Sequence, residues 1–387
     1  MLLIFLLPAV ANAWWDNGHL LVAEVARQQL TPQQVAHIND ILKDFADDYP
    51  GTSDLVTAAV WPDMLKCSSQ STICPREVLD NIHIFDSWHY NEKPYNPDGV
   101  KLPICSDKWQ NNPSALYTMT SAMLSLGSNS RFTHNFFLRW MLHVVGDIHQ
   151  PLHTVSGFFD NPQLGKLTYG DLGGNRIPVQ SPCGTSNLHA YWDSAACTYL
   201  INWSPDLDRR ELSANATALT SKYPKTSSVF AGRYIEDDLQ DCWTAVLAGR
   251  AAKPFDVCQE VFLSWTDDTY DSGVAKAYTG ITSNSSVPAD YAAWAKEFSE
   301  QQIVLGGYRL GGLLRLVASR VVLPSPGEKN KKPPPEWTLT AKLFAALSLI
   351  LVILLACLLN STLKLRRKLV NLAMTEGLSP RAIDPQA

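Results

Sequence analysis

The chain has 387 residues, of which 46% are hydrophobic, and it carries a formal net charge of −5. This length and composition allow a substantial core arranged in one or two domains. The mild negative charge gives no indication of the broad basic surface that proteins binding duplex nucleic acid present.

The N-terminal residues 1–13 predict a secretory signal peptide. They are apolar and end in Ala11-Asn12-Ala13, a small-residue pattern typical of a cleavage site. Thirteen residues are too few to span a bilayer, which argues against an N-terminal anchor. The stretch is short and lacks the usual positive start, which leaves open an N-terminus upstream of Met1. Cleavage after Ala13 would make Trp14 the first residue of the mature protein.

The residues that follow predict a mainly α fold, because alternating strand patterns are few. A helix opens near His19, and Thr31-Pro32 predicts a second helix to about residue 46. Asn112-Pro113 predicts another to about residue 126, and residues 206–318 show further helical spacing. Residues 156–186 predict a long irregular connection, of a kind that often carries function. Its Gly-rich stretch 170–175 is only a weak phosphate-binding signal, because no Walker pattern is present.

The strongest functional signal is His143-x-x-x-Asp147, which follows the unbroken apolar run 136–142. Residues four apart share one face of a helix, so both side chains point into the same buried environment. An internal hydrogen-bonded pair and a metal site explain one such unit about equally well. His189 and Asp193 repeat the spacing, which favours a metal site, and zinc accepts both ligand types.

Other histidines and carboxylates lie close to helix-breaking prolines or to aromatic residues in the sequence. Pro151 bends or ends the central helix, and His153 follows that break. Taken singly, His19, Asp63 and His89 are more consistent with structural roles than with functional ones.

The C-terminal residues predict a membrane anchor. Residues 324–337 form a proline-rich linker, and residues 338–360 contain about twenty mostly apolar residues, enough to cross a bilayer. The basic residues at 364–368 mark residues 361–387 as a cytoplasmic tail. A buried core helix is the alternative for the span. Residues 14–323 are therefore expected to be extracellular or lumenal, at the cell surface or on a secretory-pathway membrane.

The cysteines and glycosylation sequons agree with export. Of eight cysteines, Cys357 lies in the predicted span, which leaves seven to form disulfides in an oxidising compartment. One of the seven is free or pairs between chains, and the connectivity cannot be deduced. Zinc binding by cysteine is the alternative, but the chain has no Cys-x-x-Cys. Sequons that predict glycosylation begin at Asn202, Asn215 and Asn284.

Together, these motifs resemble the zinc-dependent single-strand nucleases and 3′-nucleotidases of fungi and plants. The resemblance extends from Trp14 to about residue 318 and also includes Trp-Pro-Asp63, Trp-His89-Tyr, Gln-Pro-Leu-His153 and Gly-Gly-Asn175. With the C-terminal span, the layout is most similar to the membrane-bound 3′-nucleotidase/nucleases of trypanosomatids. The bacterial zinc phospholipases C are a more distant resemblance with a similar ligand order.

The resemblance implies a single helical domain around a cleft that holds three zinc ions. The ligands of one zinc would be Asp63, His89, His143 and Asp147. Those of a second would be His153, His189 and Asp193. Those of the third would be the backbone amine and carbonyl of Trp14 with His19, and Asp147 as a bridge.

The implied reaction is attack of metal-activated hydroxide on phosphorus in single-stranded DNA, RNA or a 3′-nucleotide. Asp147 and Lys66 would be catalytic, with Lys66 near the negative charge that develops on the phosphate. A solvated surface position is the alternative for Lys66. Tyr90 would stack a base and Glu92 would accept from a base edge, with packing as the alternative for Tyr90. His149 matches no ligand position and would at most support a ligand.

The alternative function is that of a zinc-dependent phospholipase C-like phosphodiesterase. A non-catalytic zinc-binding ectodomain is a third possibility, which the complete ligand set disfavours. No obligate protein partner is evident from the sequence.

Overall fold

A computed structural model describes residues 14–66, 83–91, 93–102, 114–201, 206–233, 237–248 and 253–321. The predicted signal peptide, linker, membrane span and cytoplasmic tail lie outside these residues. No helix within the described ranges is both long enough and apolar enough to cross a membrane.

Helices dominate the described residues, which confirms the mainly α class. They are α1 (Asp16–Arg27), α2 (Pro32–Leu42), α3 (Trp61–Met64), α4 (Ala115–Ser125), α5 (Arg131–Asp147), α6 (Leu188–Asp193), α7 (Arg209–Lys222), α8 (Asp237–Leu247), α9 (Lys253–Thr269), α10 (Ala275–Tyr278) and α11 (Ala289–Arg320).

Three two-stranded pairs accompany the helices. They are β1 (Lys93–Tyr95) with β2 (Val155–Gly157), β3 (Phe159–Asn161) with β4 (Gly165–Leu167), and β5 (Val179–Gln180) with β6 (Ser285–Ser286). Four of the six strands fall wholly or mainly in the 156–186 segment, for which the sequence predicted no regular structure. That expectation was wrong because strands of two or three residues are too short to produce an alternating pattern.

Local sequence explains where the helices begin. The Thr31 hydroxyl accepts a hydrogen bond from the Gln34 N–H, and the Gln34 side-chain oxygen accepts one from the Thr31 N–H, so α2 starts with a complete capping box and Pro32 in its first turn. Ser130 caps α5 in the same way by accepting from the Thr133 N–H.

Helix α5 lies at the centre of the main core. It contacts α1, α2, α4 and α11, and every residue from Leu138 to Asp147 is buried. From Leu138 to Asp147 the helix exposes no face to water, so the polar residues of its last turns must find partners inside the protein.

A second, smaller core lies beside α6, α10 and the start of α11. β2 enters it two residues after His153 and pairs in parallel with β1, with Val155 opposite Lys93. The same pairing extends back to Asn91, whose N–H donates to the His153 carbonyl over 2.7 Å. This ladder fixes the segment carrying His89 against the segment carrying His153.

Two disulfides join Cys183 to Cys197 and Cys242 to Cys258, which confirms disulfide bonding for these four cysteines. Three further cysteines, Cys67, Cys74 and Cys105, lie outside the described residues.

The glycosylation sequons differ in their surroundings. Asn284 lies in an exposed turn with φ +61°, whereas Asn215 is half-buried within α7. Asn202 lies outside the described residues.

Candidate metal centre

His143 and Asp147 meet inside the protein, one helical turn apart on α5. Both are completely buried, and His143 Nε2 lies 3.4 Å from Asp147 Oδ2. The other ring nitrogen, His143 Nδ1, donates to the Ala59 carbonyl over 2.6 Å. This bond leaves the Nε2 lone pair facing the carboxylate, as in a metal-binding imidazole oriented by a backbone acceptor.

Asp63 and His89 converge on the same point from other elements. Asp63 lies on α3, which begins two residues after Ala59, and its Oδ1 lies 3.6 Å from His143 Nε2. His89 Nδ1 lies 3.2 Å from Asp147 Oδ2 and 3.7 Å from Asp63 Oδ1. Two imidazoles and two carboxylates thus face one small volume.

His19 approaches the opposite oxygen of the same carboxylate. Its Nε2 lies 3.3 Å from Asp147 Oδ1, and its ring stacks on His143 with centroids 3.9 Å apart. The approach requires a glycine at position 146, because a Cβ there would lie 2.6 Å from His19 Nδ1. The two oxygens of Asp147 therefore face different sets of imidazoles, an arrangement suited to a carboxylate shared by two cations.

His153, His189 and Asp193 form a separate group. The Nε2 atoms of His153 and His189 lie 3.7 and 3.5 Å from the two oxygens of Asp193. His153 Nδ1 donates to the His89 carbonyl over 2.8 Å, which couples this group to the first. Gln150 donates to Asp193 Oδ1 over 2.7 Å and holds the carboxylate in place.

The Gly-rich stretch orients His189. The Gly173 carbonyl accepts from His189 Nδ1 over 2.6 Å, and Gly173 has φ +59°. A Cβ at Gly173 would lie 2.2 Å from the Leu152 carbonyl oxygen, so only glycine fits this close approach. The N–H groups of Gly173 and Gly174 bind a carboxylate of the protein, which argues against the phosphate cradle considered from the sequence.

Asp171 is that carboxylate, and its role was not among those predicted from the sequence. It also accepts from the Gly157 N–H and the Tyr278 hydroxyl, and burial raises its pKa to about 6. An aspartate inside a Gly-rich stretch was the available signal, because such a residue commonly binds nearby N–H groups of a turn.

Burial of these ligand groups costs free energy unless a cation compensates them. It lowers the pKa of His89, His143 and His153 well below the usual value for histidine, and it raises the pKa of Asp147 and Asp193 well above that of aspartate.

Several ligand atoms also lack a hydrogen-bond partner within the described residues. These atoms are His19 Nδ1 and Nε2, Asp63 Oδ2, His89 Nε2, both carboxylate oxygens of Asp147, His153 Nε2 and His189 Nε2. Buried polar atoms are rarely left in this state, so a metal ion is the expected partner for those that face one another. Nitrogen and carboxylate donors fit Zn²⁺.

Three groups in the described residues bring ligand atoms within 4.8 Å of one another. They are His19 with His143 and Asp147, Asp63 with His89 and His143, and His153 with His189 and Asp193. The structure thus brings together all eight side chains that the sequence predicted as ligands.

The ninth predicted ligand is the backbone of Trp14. Its side chain is completely buried, and the N–H of the next residue, Trp15, donates to the Asp193 carbonyl over 2.9 Å. The predicted mature N-terminus therefore lies against the end of α6, which carries two of the predicted ligands.

The predicted catalytic and substrate-binding residues lie in different environments, and one of them is not described by the structure. Lys66 is buried and donates to Asp63 Oδ1 over 3.0 Å, so the alternative of a solvated surface lysine is wrong. Tyr90 is half-buried directly after His89, and its carbonyl accepts from the Ala115 N–H. Glu92 lies outside the described residues.

Both ring nitrogens of His149 bind residues outside these ligand groups. It donates from Nδ1 to the Val145 carbonyl and accepts from Arg309 at Nε2 over 2.8 Å. Arg309 in turn pairs with Asp268. This network, which the sequence did not reveal, fixes the turn that follows α5.

Gly146→Ala is expected to displace His19, because the added methyl would lie 2.6 Å from Nδ1. The same change in an ordinary helix interior stabilises a protein by about 1 kcal/mol. We expect a loss of about one zinc per chain and a lower free energy of unfolding, measured by elemental analysis and thermal denaturation.

The double variant His19→Ala/Gly146→Ala is the matched control. With the imidazole removed, adding the methyl should no longer destabilise the protein relative to His19→Ala alone. Full zinc content in the single Gly146→Ala variant would contradict the close approach of His19 to α5.

Comparison with known proteins agrees with this geometry. The family model of the S1/P1 nucleases matches residues 14–319. Endonuclease 3 of Arabidopsis thaliana is 24% identical over 316 residues, which cover 80% of this chain and 90% of that protein. Nuclease S1 of Aspergillus oryzae is 24% identical over 319 residues, which cover 81% and 95% respectively. The chain is a member of the S1/P1 nuclease family.

Proposed function

We propose that this protein is a zinc-dependent phosphoesterase that hydrolyses single-stranded DNA and RNA and releases phosphate from 3′-nucleotides. The observation that carries the proposal is the Asp147 carboxylate, whose two oxygens face different imidazole groups. The names of the relatives, endonuclease and nuclease, support a nucleic acid as the substrate.

Three zinc ions would be distributed over the three ligand groups. Asp63, His89, His143 and Asp147 would hold one, and His153, His189 and Asp193 another. Trp14 and His19 would hold the third and share Asp147 with the first. Zinc bound there would lower the pKa of water and neutralise phosphate charge.

The chain's own residues hold this arrangement rigid. Backbone carbonyls fix the rings of three ligands, His143, His153 and His189, so that little reorganisation is needed when substrate binds. Because zinc would lower the pKa of the attacking water, the proposed reaction requires no protein side chain as a general base. Asp147 would then act as a shared metal ligand and not as a proton acceptor.

Lys66 would stabilise the charge that develops on the phosphate. Its ammonium group is buried beside Asp63, one of the proposed ligands, and a cation in such a site interacts more strongly with an anion than one in water. Tyr90 follows His89 directly, where a base next to the scissile phosphate could stack on it. Glu92 would accept a hydrogen bond from the edge of that base.

Export and membrane attachment belong to the same proposal. The disulfides fit an oxidising compartment. Residues 338–360 would anchor the chain, with the catalytic domain outside the cell or in a lumen. Of the two sequons within the described residues, Asn284 is the better placed for glycan transfer, because its turn is exposed. Asn202 and Asn215 remain predicted sites.

The function is tested with the purified full-length protein on a single-stranded oligonucleotide, its duplex, RNA, 3′-AMP and phosphatidylcholine. We expect hydrolysis of the single strand, RNA and 3′-AMP, with the duplex at least tenfold slower because stacking needs an unpaired base. Asp147→Asn should reduce turnover by roughly a hundredfold, since it alters ligands of two metals.

Asp160→Asn is the control, because Asp160 is an exposed carboxylate on β3. Hydrolysis of phosphatidylcholine in place of nucleic acid would instead favour the phospholipase C-like alternative. Retention of more than about a tenth of the turnover by Asp147→Asn would argue against a shared ligand.

A second test concerns the α-amine of Trp14. An α-amine has a pKa of about 7.7–8.0 and binds zinc at modest cost, whereas the amide of an extended chain is a poor ligand. A Gly-Ser extension ahead of Trp14 should therefore remove about one zinc per chain and most of the 3′-nucleotidase rate.

Trp14→Phe is the control for this test, because it changes the packing of the side chain and keeps the free amine. It should retain all three zincs. An extended protein with three zincs and unchanged activity would exclude the amine as a ligand.

A further inference from the structure

The turn that follows α6 has an unusual backbone. Ala195, Ala196 and Cys197 have φ of +49°, +55° and +65°, so three consecutive residues with side chains lie in the left-handed region. This region is unfavourable for L-residues because Cβ comes too close to the following carbonyl oxygen. Residues strained in this way persist only where the surrounding structure determines their conformation, and they cluster at functional sites.

A buried serine and a disulfide hold this left-handed turn. The Ser194 hydroxyl accepts from the Cys197 N–H over 2.9 Å and donates to the Tyr191 carbonyl over 2.6 Å. Cys197 is the last of the three strained residues, and it is bonded to Cys183 in the connection between β5 and α6. Both constraints act on Cys197 and oppose relaxation of the turn to a right-handed conformation.

The backbone on both sides of the turn binds the predicted mature N-terminus. Before the turn, the Asp193 carbonyl accepts from the Trp15 N–H over 2.9 Å. After the turn, the Ile201 carbonyl accepts from the Asn17 N–H over 3.2 Å. The conformation of the turn sets the separation of these two carbonyls, and therefore the position of the segment that begins at Trp14.

The hydrogen bond to Asp193 also orients the peptide group that joins Trp14 to Trp15. In a trans peptide the N–H and the C=O point in opposite directions. The Asp193 carbonyl therefore fixes the direction of the Trp14 carbonyl, which is one of the proposed zinc ligands. Acceptors that orient a ligand from behind in this way tune many metal sites.

We propose that the left-handed turn 195–197 and the Cys183–Cys197 disulfide position the processed N-terminus for metal binding. Ser194 and Cys197 are positioning residues that act through the backbone of Asp193 and Ile201. Asp193 then links two proposed zinc sites, one through its carboxylate and the other through the carbonyl that binds the N-terminal segment. The inference rests on the proposed role of the Trp14 amine and carbonyl as zinc ligands.

The test measures the reactivity of the Trp14 α-amine in the zinc-loaded, exported full-length protein. At pH 7 an amine-reactive ester labels an α-amine, whose pKa is about 7.7–8.0, in preference to lysine, whose pKa is about 10.4. In Cys183→Ser/Cys197→Ser we expect labelling at least about tenfold faster than in the wild type, because an amine released from zinc regains its lone pair. Elemental analysis should show a loss of about one zinc per chain.

Cys183→Ser/Cys197→Gly separates the conformation of the turn from the disulfide. It also lacks the bond, but glycine adopts positive φ without a Cβ clash, so labelling should return to within about threefold of the wild-type rate. If the serine pair does not fold, Ser194→Ala tests the same turn with the disulfide intact. Loss of its hydrogen bond should accelerate labelling roughly 2- to 10-fold.

Cys242→Ser/Cys258→Ser is the matched control, because that disulfide joins α8 to α9, which carry no proposed ligand. Its amine should be labelled at the wild-type rate, and its zinc content should be unchanged. Wild-type labelling in the serine pair, or in Ser194→Ala where the pair does not fold, would overturn the positioning role. So would failure of the glycine variant to restore protection, or equal exposure of the amine in the control.

The proposed function and this inference fail in different ways. If the wild-type amine is labelled as fast as that of a free peptide beginning with tryptophan, the positioning role fails, and hydrolysis of 3′-AMP by the same sample keeps the phosphoesterase function. If the amine is protected but neither 3′-AMP nor single-stranded DNA is hydrolysed, the phosphoesterase function fails and the positioning role stands.

Discussion

The constraint on which this structure depends is the burial of three carboxylates and five imidazoles with too few hydrogen-bond partners. Asp147 is completely buried, and neither of its oxygens has a hydrogen-bond donor among the described residues. Such a group is costly in an apolar interior unless a cation compensates it. Metal binding therefore contributes to the stability of the fold as well as to catalysis, and the bound and metal-free proteins should differ in stability.

The surrounding fold brings ligands from distant parts of the chain to one place. Backbone carbonyls orient the rings of His143, His153 and His189. Glycines at 146 and 173 permit approaches that any side chain would block. The pairing of β1 with β2 continues to Asn91 and His153, so a short parallel ladder aligns two ligand segments that are more than sixty residues apart. The disulfide between Cys183 and Cys197 closes a loop that contains both His189 and Asp193.

Most of this centre could be predicted from the sequence because its strongest signals are local. A spacing of four on a helix determines which residues share a face, so the spacing alone pairs His143 with Asp147 and His189 with Asp193. The other ligands followed only from the resemblance to a family, since no local pattern connects His19 or His89 to α5.

Features that depend on tertiary contacts were missed or misjudged. The need for glycine at position 146 arises from His19, more than a hundred residues away. A solvated surface position was the alternative for Lys66, but its pairing with Asp63 allows it to be buried. Asp171 and Arg309 bind residues that are far away in the chain, and neither contact follows from periodicity.

The most direct test of the central claim is anomalous diffraction at the zinc absorption edge from crystals of the processed protein. We expect three zinc peaks. Two should lie roughly 3.5–4 Å apart on opposite oxygens of Asp147, and the third should lie between His153, His189 and Asp193. A single peak, or a pair of zinc ions that Asp147 does not bridge, would contradict the claim.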